Sequence, residues 1–231
     1  MDDCGWQSCD IHKKPENERN LKVTEPKISG YEWKSAELTT SHDYLLPAVL
    51  QELTAILPQS GGRVFDLGCG NGSVGNALAQ RGYEVTGIDP SAEGIAQANK
   101  QFPHLRLLQG SAYDDLTAIY GTFPAVISLE VVEHVYSPRQ YAGTLFSLVE
   151  PGGTAIVSTP YHGYWKNLAM AVTGKMDAHF TALWDHGHIK FWSIRTLTAL
   201  LEEAGFRDIR FMLVGRIPLL AKSMIAICKK P

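Results

Sequence analysis

The stretch VFDLGCGNGSVGNALAQRG, residues 64–82, decides the fold of this 231-residue chain. Gly68, Gly70 and Gly72 come directly after a short apolar run and directly before a helix-like pattern. Glycine is costly inside regular structure, so the cluster indicates a turn whose backbone passes close to a ligand. A strand, a glycine turn and a helix in this order are typical of a doubly wound sheet, which binds ligands beyond the carboxyl ends of its strands.

The same alternation of short apolar runs and helical patterns continues along the chain. Strict alternation implies right-handed crossovers and a parallel sheet with helices on both faces. Two further strands close the chain as a hairpin-like pair at one edge. The predicted strands are 63–67, 84–88, 105–109, 125–129, 154–158, 207–214 and 223–228, and the predicted helices are 41–57, 74–80, 92–101, 138–149 and 193–205.

The predicted fold class is therefore α/β: a Rossmann-like, doubly wound, mostly parallel seven-stranded sheet with one antiparallel edge strand. Residues 161–192 interrupt the alternation and are interpreted as a cap over a substrate. Residues 1–28 are polar and lack periodicity, which is typical of a mobile tail. We expect a single domain over 29–231, with the cap as an insertion in it.

Composition argues against several classes of protein. The formal charge of −3, from 21 basic and 24 acidic residues, argues against a general nucleic-acid binder. No run approaches the roughly 20 apolar residues of a membrane span, and the N-terminus lacks a signal-peptide pattern. The four cysteines indicate no disulfide framework, and Cys4 and Cys9 are expected to be free thiols. We expect a cytoplasmic protein without integral membrane association; the oligomeric state stays open.

Two acidic residues bear on the identity of the ligand. Asp66 precedes the glycines, and Asp89 ends the second predicted strand, where a carboxylate accepts hydrogen bonds from both ribose hydroxyls of a nucleotide. Gly70, Gly72 and Gly75 satisfy the dinucleotide pattern, a weak signal that keeps NAD as one candidate. Asp66, however, would repel a pyrophosphate and attract a cation. S-adenosylmethionine carries a ribose and a positively charged amino-acid end, and no phosphate.

The motifs DLGCGNG and GIDPS resemble motif I and motif II of the class I S-adenosylmethionine-dependent methyltransferases, and the resemblance extends over residues 41–228. It implies the same doubly wound fold and S-adenosylmethionine as the cofactor. The residues that the resemblance places at the cofactor's amino-acid end and ribose are Asp66, Gly68, Gly70, Gly72 and Asp89.

The adenine contacts follow from the same resemblance. Family members often have an aspartate, which accepts from the adenine amino group, where this chain has Ser111. We expect Ser111 to accept one bond and the backbone N–H of Ala112 to serve the ring, with Asp114 as an alternative acceptor. Leu129 is expected to line the adenine pocket, where an apolar wall needs only shape.

The segment SLEVVEHV, residues 128–135, carries a candidate metal site. Glu130, Glu133 and His134 stand at i, i+3 and i+4, so a helical turn would point all three one way. Two carboxylates suit Mg²⁺, and the imidazole permits Zn²⁺ or Mn²⁺. The segment resembles the ubiquinone-biosynthesis O-methyltransferases, where such a run is associated with a metal. The alternative is a run that caps and packs the loop without a metal.

The cap is rich in aromatic and histidine side chains. His162 follows the fifth predicted strand and is the candidate general base. Tyr161, Trp165 and Trp184 are expected to contact a flat acceptor. For His188 packing against the protein is favoured over metal binding. For Asp185 and His186 solvent or loop contacts are favoured.

The function expected is methyl transfer from S-adenosylmethionine to a small-molecule acceptor, with O-methylation of a phenolic or quinone-type hydroxyl favoured by the resemblance. N- or C-methylation of a natural-product metabolite is the alternative. A dinucleotide-dependent oxidoreductase and a non-catalytic protein that binds the cofactor also stay open, because function belongs to the site rather than to the scaffold.

Overall fold

The computed structural model of the chain describes residues 37–231 except 39, 59, 185 and 186. The predicted tail over residues 1–28, Cys4 and Cys9 lie outside the described residues, and so do Asp185 and His186 of the cap. The two cysteines that the structure describes, Cys69 and Cys228, are buried and free.

Over the described residues, seven strands form one sheet in which six strands are parallel to one another and the last strand is antiparallel to them. The predicted fold class is confirmed. The strands are β1 (Arg63–Leu67), β2 (Glu84–Asp89), β3 (Arg106–Gln109), β4 (Phe123–Leu129), β5 (Val149–Pro160), β6 (Arg207–Val214) and β7 (Ser223–Lys229).

The order of the strands across the sheet is β3-β2-β1-β4-β5-β7-β6. The chain therefore moves outward from β1 through β2 to β3, and then returns to place β4 on the other side of β1. The connections after β1 and β4 diverge at this reversal and leave a crevice beyond the carboxyl ends of the two strands. The antiparallel strand β7 lies one place in from the edge, because it pairs with both β5 and β6.

Helices cover both faces of the sheet, and two of them belong to the cap. They are α1 (His42–Ile56), α2 (Ser73–Ala79), α3 (Ala92–Gln101), α4 (Leu116–Tyr120), α5 (Pro138–Leu148), α6 (Tyr164–Val172), α7 (Met176–Phe180) and α8 (Ile194–Ala204). The sequence pattern predicted α3 with both of its ends and did not predict α4, whose five residues are too few to show a period.

Local chemistry sets the start of α3, which follows β2, and both ends of α8, which follows the cap. The Ser91 hydroxyl accepts from the Gly94 N–H at 3.1 Å and caps α3 directly after Asp89. Ser193 and Thr196 form a capping box at the start of α8, which ends at Gly205 with φ +112°. These caps hold the connections at the carboxyl edge of the sheet in place.

The two faces of the sheet bury separate apolar clusters. One cluster joins α5 and α8 to the sheet around Phe65 and Tyr141, and the other packs α1 and α2 around Leu53 and Ile127. Over the described part of the chain, none of the helices combines the length and the apolar composition that a membrane span requires.

We predict that Gly72→Ala destabilises the fold more than Gly174→Ala does. Both glycines have left-handed φ angles, +75° and +66°, so each substitution incurs about 1–2 kcal/mol of backbone strain. A Cβ on Gly72 would also lie 2.5 Å from Cδ1 of Leu107, whereas a Cβ on Gly174 would meet nothing within 4 Å. Overpacking adds about 1–3 kcal/mol. Urea denaturation measures both variants, and equal losses would contradict the packing role of Gly72.

Candidate functional site

The glycine turn after β1 is bonded directly to the end of β2. The backbone N–H groups of Gly68 and Cys69 both donate to the Ile88 carbonyl oxygen, at 2.8 and 2.9 Å. Gly68 has φ +93°, and a Cβ on it would lie 2.4 Å from Cγ2 of Val131, in the connection after β4. Only glycine fits where these two connections approach one another.

Asp89, at the end of β2, closes the turn with its side chain. Its Oδ2 accepts from the Gly70 N–H at 3.0 Å and its Oδ1 accepts from the Ser91 N–H at 2.8 Å. Burial raises the pKa of this carboxyl, and the two N–H donors oppose that rise because they stabilise the charged form. Each oxygen still has a lone pair for a ligand hydroxyl.

Asp66, near the end of β1, lies beside Asp89 without comparable support. Its side chain is only 2% exposed, and Oδ2 has no hydrogen-bond partner among the described residues. Burial raises the pKa of Asp66 to about 7, and the charge of Asp89 adds to the rise. A buried carboxylate oxygen without a partner is costly, so Oδ2 of Asp66 fits a ligand that brings a cation with N–H donors.

A cavity of about 730 Å³, the first cavity, opens at the carboxyl ends of β1, β2 and β4. Of the predicted cofactor residues, six lie on its wall: Asp66, Gly68, Asp89, Ser111, Ala112 and Leu129. Gly70 and Gly72 lie behind the wall, where Gly70 bonds to Asp89 and Gly72 packs on Leu107. These two glycines shape the turn rather than line the cavity.

Ser111 is held inside its own loop. Its hydroxyl oxygen accepts from the Tyr113 N–H at 3.2 Å, and its backbone N–H donates to Oδ2 of Asp114 at 2.8 Å. Asp114, the predicted alternative acceptor for adenine, therefore supports the loop and is not on the wall of the first cavity. Tyr113 and Tyr136 do lie on that wall, and the sequence pattern did not single them out.

The turn after β4 does not form the helix that the predicted metal site requires, because Glu130 has φ +56°. Its carboxylate turns toward the sheet, where Oε1 accepts from the Ser158 hydroxyl at 2.8 Å and Oε2 accepts from the Ser223 hydroxyl at 3.4 Å. Burial raises the pKa of Glu130 to about 7, and these serines oppose the rise. Glu130 is therefore not one of the residues whose ligand atoms lie close to those of Glu133 and His134.

A different trio comes together: Glu133, His134 and His188 each offer a ligand atom, and these atoms lie within 4.8 Å of one another. Glu133 is 1% exposed, and neither carboxylate oxygen has a hydrogen-bond partner among the residues described. Burial and the nearby Glu130 raise its pKa. From the sequence, we favoured a packing role for His188. In the structure its ring lies beside Glu133 and His134.

The segment that carries His188 is fastened to the turn by backbone bonds. The N–H groups of Ile189 and Lys190 donate to the Glu133 carbonyl, each at 3.0 Å. Nδ1 of His134 lies 3.1 Å from the Gly187 carbonyl oxygen. Because a carbonyl oxygen can only accept, Nδ1 carries the proton in this bond, and Nε2 is the acceptor nitrogen of the ring when it is neutral.

His162, the predicted base, lies in a cluster of rings and not on the wall of the first cavity. Its ring stacks on Phe180 at 5.9 Å and meets Phe191 edge-on at 5.1 Å and His179 at 5.3 Å, measured between ring centroids. Burial, Lys166 and His179 lower its pKa to about 4. Ring side chains of the cap therefore pack around this imidazole and form a local cluster.

The three predicted acceptor contacts separate in the structure. Trp184 lies on the wall of the first cavity and also on the wall of an adjoining second cavity of about 860 Å³, which the cap covers. Trp165 is 59% exposed on α6, and Tyr161 packs against the apolar core beside α8. Neither of these two residues lines either cavity. Glu130 and His188 join Trp184 on both walls.

Comparison with known proteins agrees with this geometry. The family model described as a methyltransferase domain matches residues 40–210. The ubiquinone biosynthesis O-methyltransferase of Cereibacter sphaeroides is 32% identical over 174 residues, which are 71% of this chain and 69% of that protein. The protein of the same name from Burkholderia pseudomallei is 28% identical and covers 80% of this chain and 81% of its own length.

Solved structures share the fold. A magnesium protoporphyrin IX methyltransferase from Synechocystis PCC 6803 with bound S-adenosylhomocysteine superposes with a TM-score of 0.63 at 20% identity, over 81% of this chain and 82% of that one. A possible histamine N-methyltransferase from Thermotoga maritima gives 0.59 at 17% identity, over 82% and 91%. With its glycine turn, its paired aspartates and these matches, the chain belongs to the S-adenosylmethionine-dependent methyltransferases of class I.

Proposed function

We propose that this enzyme transfers the methyl group of S-adenosylmethionine to a hydroxyl of a small aromatic acceptor. The observation that carries the proposal is the junction of the two cavities, where Trp184 offers a flat wall and His188 offers an imidazole. The names of the curated relatives, ubiquinone biosynthesis O-methyltransferases, support a phenolic oxygen as the acceptor atom.

In this proposal the first cavity holds the cofactor. The unpartnered Oδ2 of Asp66 accepts from the amino group of the methionine end, and Asp89 accepts from the ribose hydroxyls. Ser111 and Ala112 lie at the adenine, and Leu129 packs on its ring. When bound, S-adenosylmethionine supplies an electrophilic methyl group with an excellent leaving group. The chain's own task is to align the acceptor and to keep the site dry.

The cluster of Glu133, His134 and His188 is assigned to deprotonation of the acceptor. A phenolic hydroxyl has a pKa of about 10, so it needs a base or a cation nearby to react at neutral pH. Burial and the neighbouring His134 lower the pKa of His188 to about 4. Its imidazole is therefore neutral at pH 7 and offers a lone pair, which suits a cation better than a proton, because a base of so low a pKa holds a proton weakly.

The same cluster fits a divalent ion better than the predicted set with Glu130 does. One buried carboxylate without hydrogen bonds and two imidazoles are within reach of a common point. Two nitrogen donors suit Zn²⁺ or Mn²⁺ more than Mg²⁺, which prefers oxygen. An ion held there would lower the pKa of a hydroxyl bound to it.

We predict methylation of oxygen when the enzyme is incubated with S-adenosylmethionine and a panel of catechols, anilines and enols. Mass spectrometry with fragmentation identifies the methylated atom. Trp184→Ala is expected to raise the Michaelis constant of the acceptor by roughly tenfold, because a ring contact of about 1.5 kcal/mol is lost, and to raise that of S-adenosylmethionine less, although Trp184 lies on the walls of both cavities. Methylation of nitrogen or carbon alone would contradict the proposed acceptor.

We predict that the affinity for S-adenosylhomocysteine rises with pH through about pH 7. Because the pKa of Asp66 is raised to about 7 in the free enzyme, the carboxyl must lose a proton when it binds the ligand's ammonium group. Affinity is therefore expected to fall by up to about tenfold for each pH unit below that value. Titration calorimetry from about pH 5.5 to pH 8.5 measures this.

Asp66→Asn is expected to bind more weakly and with a flat pH profile. Glu130→Gln is the matched control, because burial raises the pKa of Glu130 to about 7 as well and its side chain lies on the same wall. This control is expected to keep the pH dependence. A flat profile in the unmodified enzyme, or a slope that survives in Asp66→Asn, would remove Asp66 from the ammonium site.

We predict that the enzyme binds roughly one Zn²⁺ or Mn²⁺ per chain and loses that ion in His188→Gln. Metal content after dialysis, measured by mass spectrometry, is the readout. Glu130→Gln is expected to retain the ion, because Glu130 bonds to Ser158 and Ser223 instead. If no ion binds and methyl transfer is unchanged by chelator, the cluster acts through its imidazoles alone and the metal proposal fails.

A further inference from the structure

The second cavity has an unusual distribution of charge. Four basic side chains lie on its wall: Lys166 on α6, Lys175 before α7, Arg216 after β6 and Lys222 before β7. Among the residues that the structure describes, Glu130 is the only carboxylate on that wall. The whole chain has a formal charge of −3, so this concentration of positive charge is local.

Among the described residues these cations form no ion pair with a carboxylate, although the charge of Glu130 acts on Lys166. In the described part of the chain, no carboxylate oxygen lies within 4.0 Å of any of the four. The Lys166 ammonium donates to the Lys222 carbonyl oxygen at 3.3 Å, and the Lys222 ammonium lies 5.1 Å from the centre of the Tyr44 ring. Glu130 already accepts from its two serines.

The pKa of Lys166 reflects the burial and the positive charge of this cavity. Lys166 is half-buried, and burial lowers the pKa of its ammonium to about 8; the charge of Arg216 adds to the lowering and the charge of Glu130 opposes it. Like charges in a partly desolvated cavity repel one another, and an anion between them removes the repulsion. A guanidinium and an ammonium converging on one space are the usual donors to carboxylates and phosphates.

We propose that the methyl acceptor carries an anionic group, a carboxylate or a phosphate, which Lys166 and Arg216 bind in the second cavity. The proposal rests on the proposed function, because the ring of the acceptor must then extend past Trp184 toward the first cavity. The anionic group and the reacting hydroxyl can then be no farther apart than the width of the wall that the two cavities share, which Glu130, Trp184 and His188 form. An acceptor without such a group would leave Lys166 and Arg216 without a carboxylate within 4.0 Å among the described residues.

Calorimetry on the enzyme saturated with S-adenosylhomocysteine tests this with three probes: 3,4-dihydroxybenzoate, phenyl phosphate and the neutral 3,4-dihydroxybenzamide. At least one of the two anions is expected to bind roughly tenfold more tightly than the amide, since a charge-assisted hydrogen bond contributes about 1.5–3 kcal/mol. The tighter of the two anions identifies the group as carboxylate or phosphate.

Arg216→Gln is expected to abolish most of that preference while it leaves the affinity for S-adenosylhomocysteine unchanged, since Arg216 is not on the wall of the first cavity. Arg195→Gln, at an exposed arginine on α8 outside both cavities, is the matched control and is expected to keep the preference. Equal binding of anions and amide, failure of both anions to bind, or a preference unchanged in Arg216→Gln would overturn the inference. Failure to bind S-adenosylhomocysteine would instead contradict the proposed function.

Discussion

Two carboxylates buried side by side at the ends of adjacent strands govern the site. Asp66 and Asp89 repel one another and are both removed from water, so the free enzyme holds a local free-energy cost there. The chain relieves only one of them, because the glycine turn donates N–H groups to Asp89 and none of the described residues bonds to Oδ2 of Asp66. In the proposed function, a cationic, ribose-bearing ligand removes that asymmetry when it binds.

Features that are local in sequence were predicted well. The glycines and the apolar runs indicated β1, the turn and the doubly wound sheet, and the caps at Ser91 and Ser193 marked α3 and α8. The position of β7 between β5 and β6 depends on pairing between distant strands, which no periodicity reports. The possible metal ligands also depend on tertiary structure. The sequence predicted Glu130 beside Glu133 and His134, but the left-handed backbone at Glu130 directs its side chain elsewhere. His188, from a segment distant in sequence, lies there instead.

In the cap, tertiary packing sorts side chains that composition alone cannot distinguish. Aromatic and histidine residues in one segment predicted a substrate surface, but His162 packs among Phe180, Phe191 and His179, while Trp165 faces outward. Trp184 does reach the junction of the cavities. Which rings fill a local core and which ones line a cavity is decided by tertiary packing, since each ring has the same tendency to leave water.

The two proposals assign opposite charges to two cavities that share Glu130, Trp184 and His188. In the proposed function the first cavity offers carboxylates to the cationic cofactor, and in the further proposal the second cavity offers cations to an anionic acceptor. A crystal structure of the complex with S-adenosylhomocysteine tests the central claim most directly. We expect the ligand's amino group within hydrogen-bond distance of Asp66 and its ribose hydroxyls on Asp89. An amino group turned away from Asp66, with Oδ2 of that carboxylate still unpartnered, would contradict the claim.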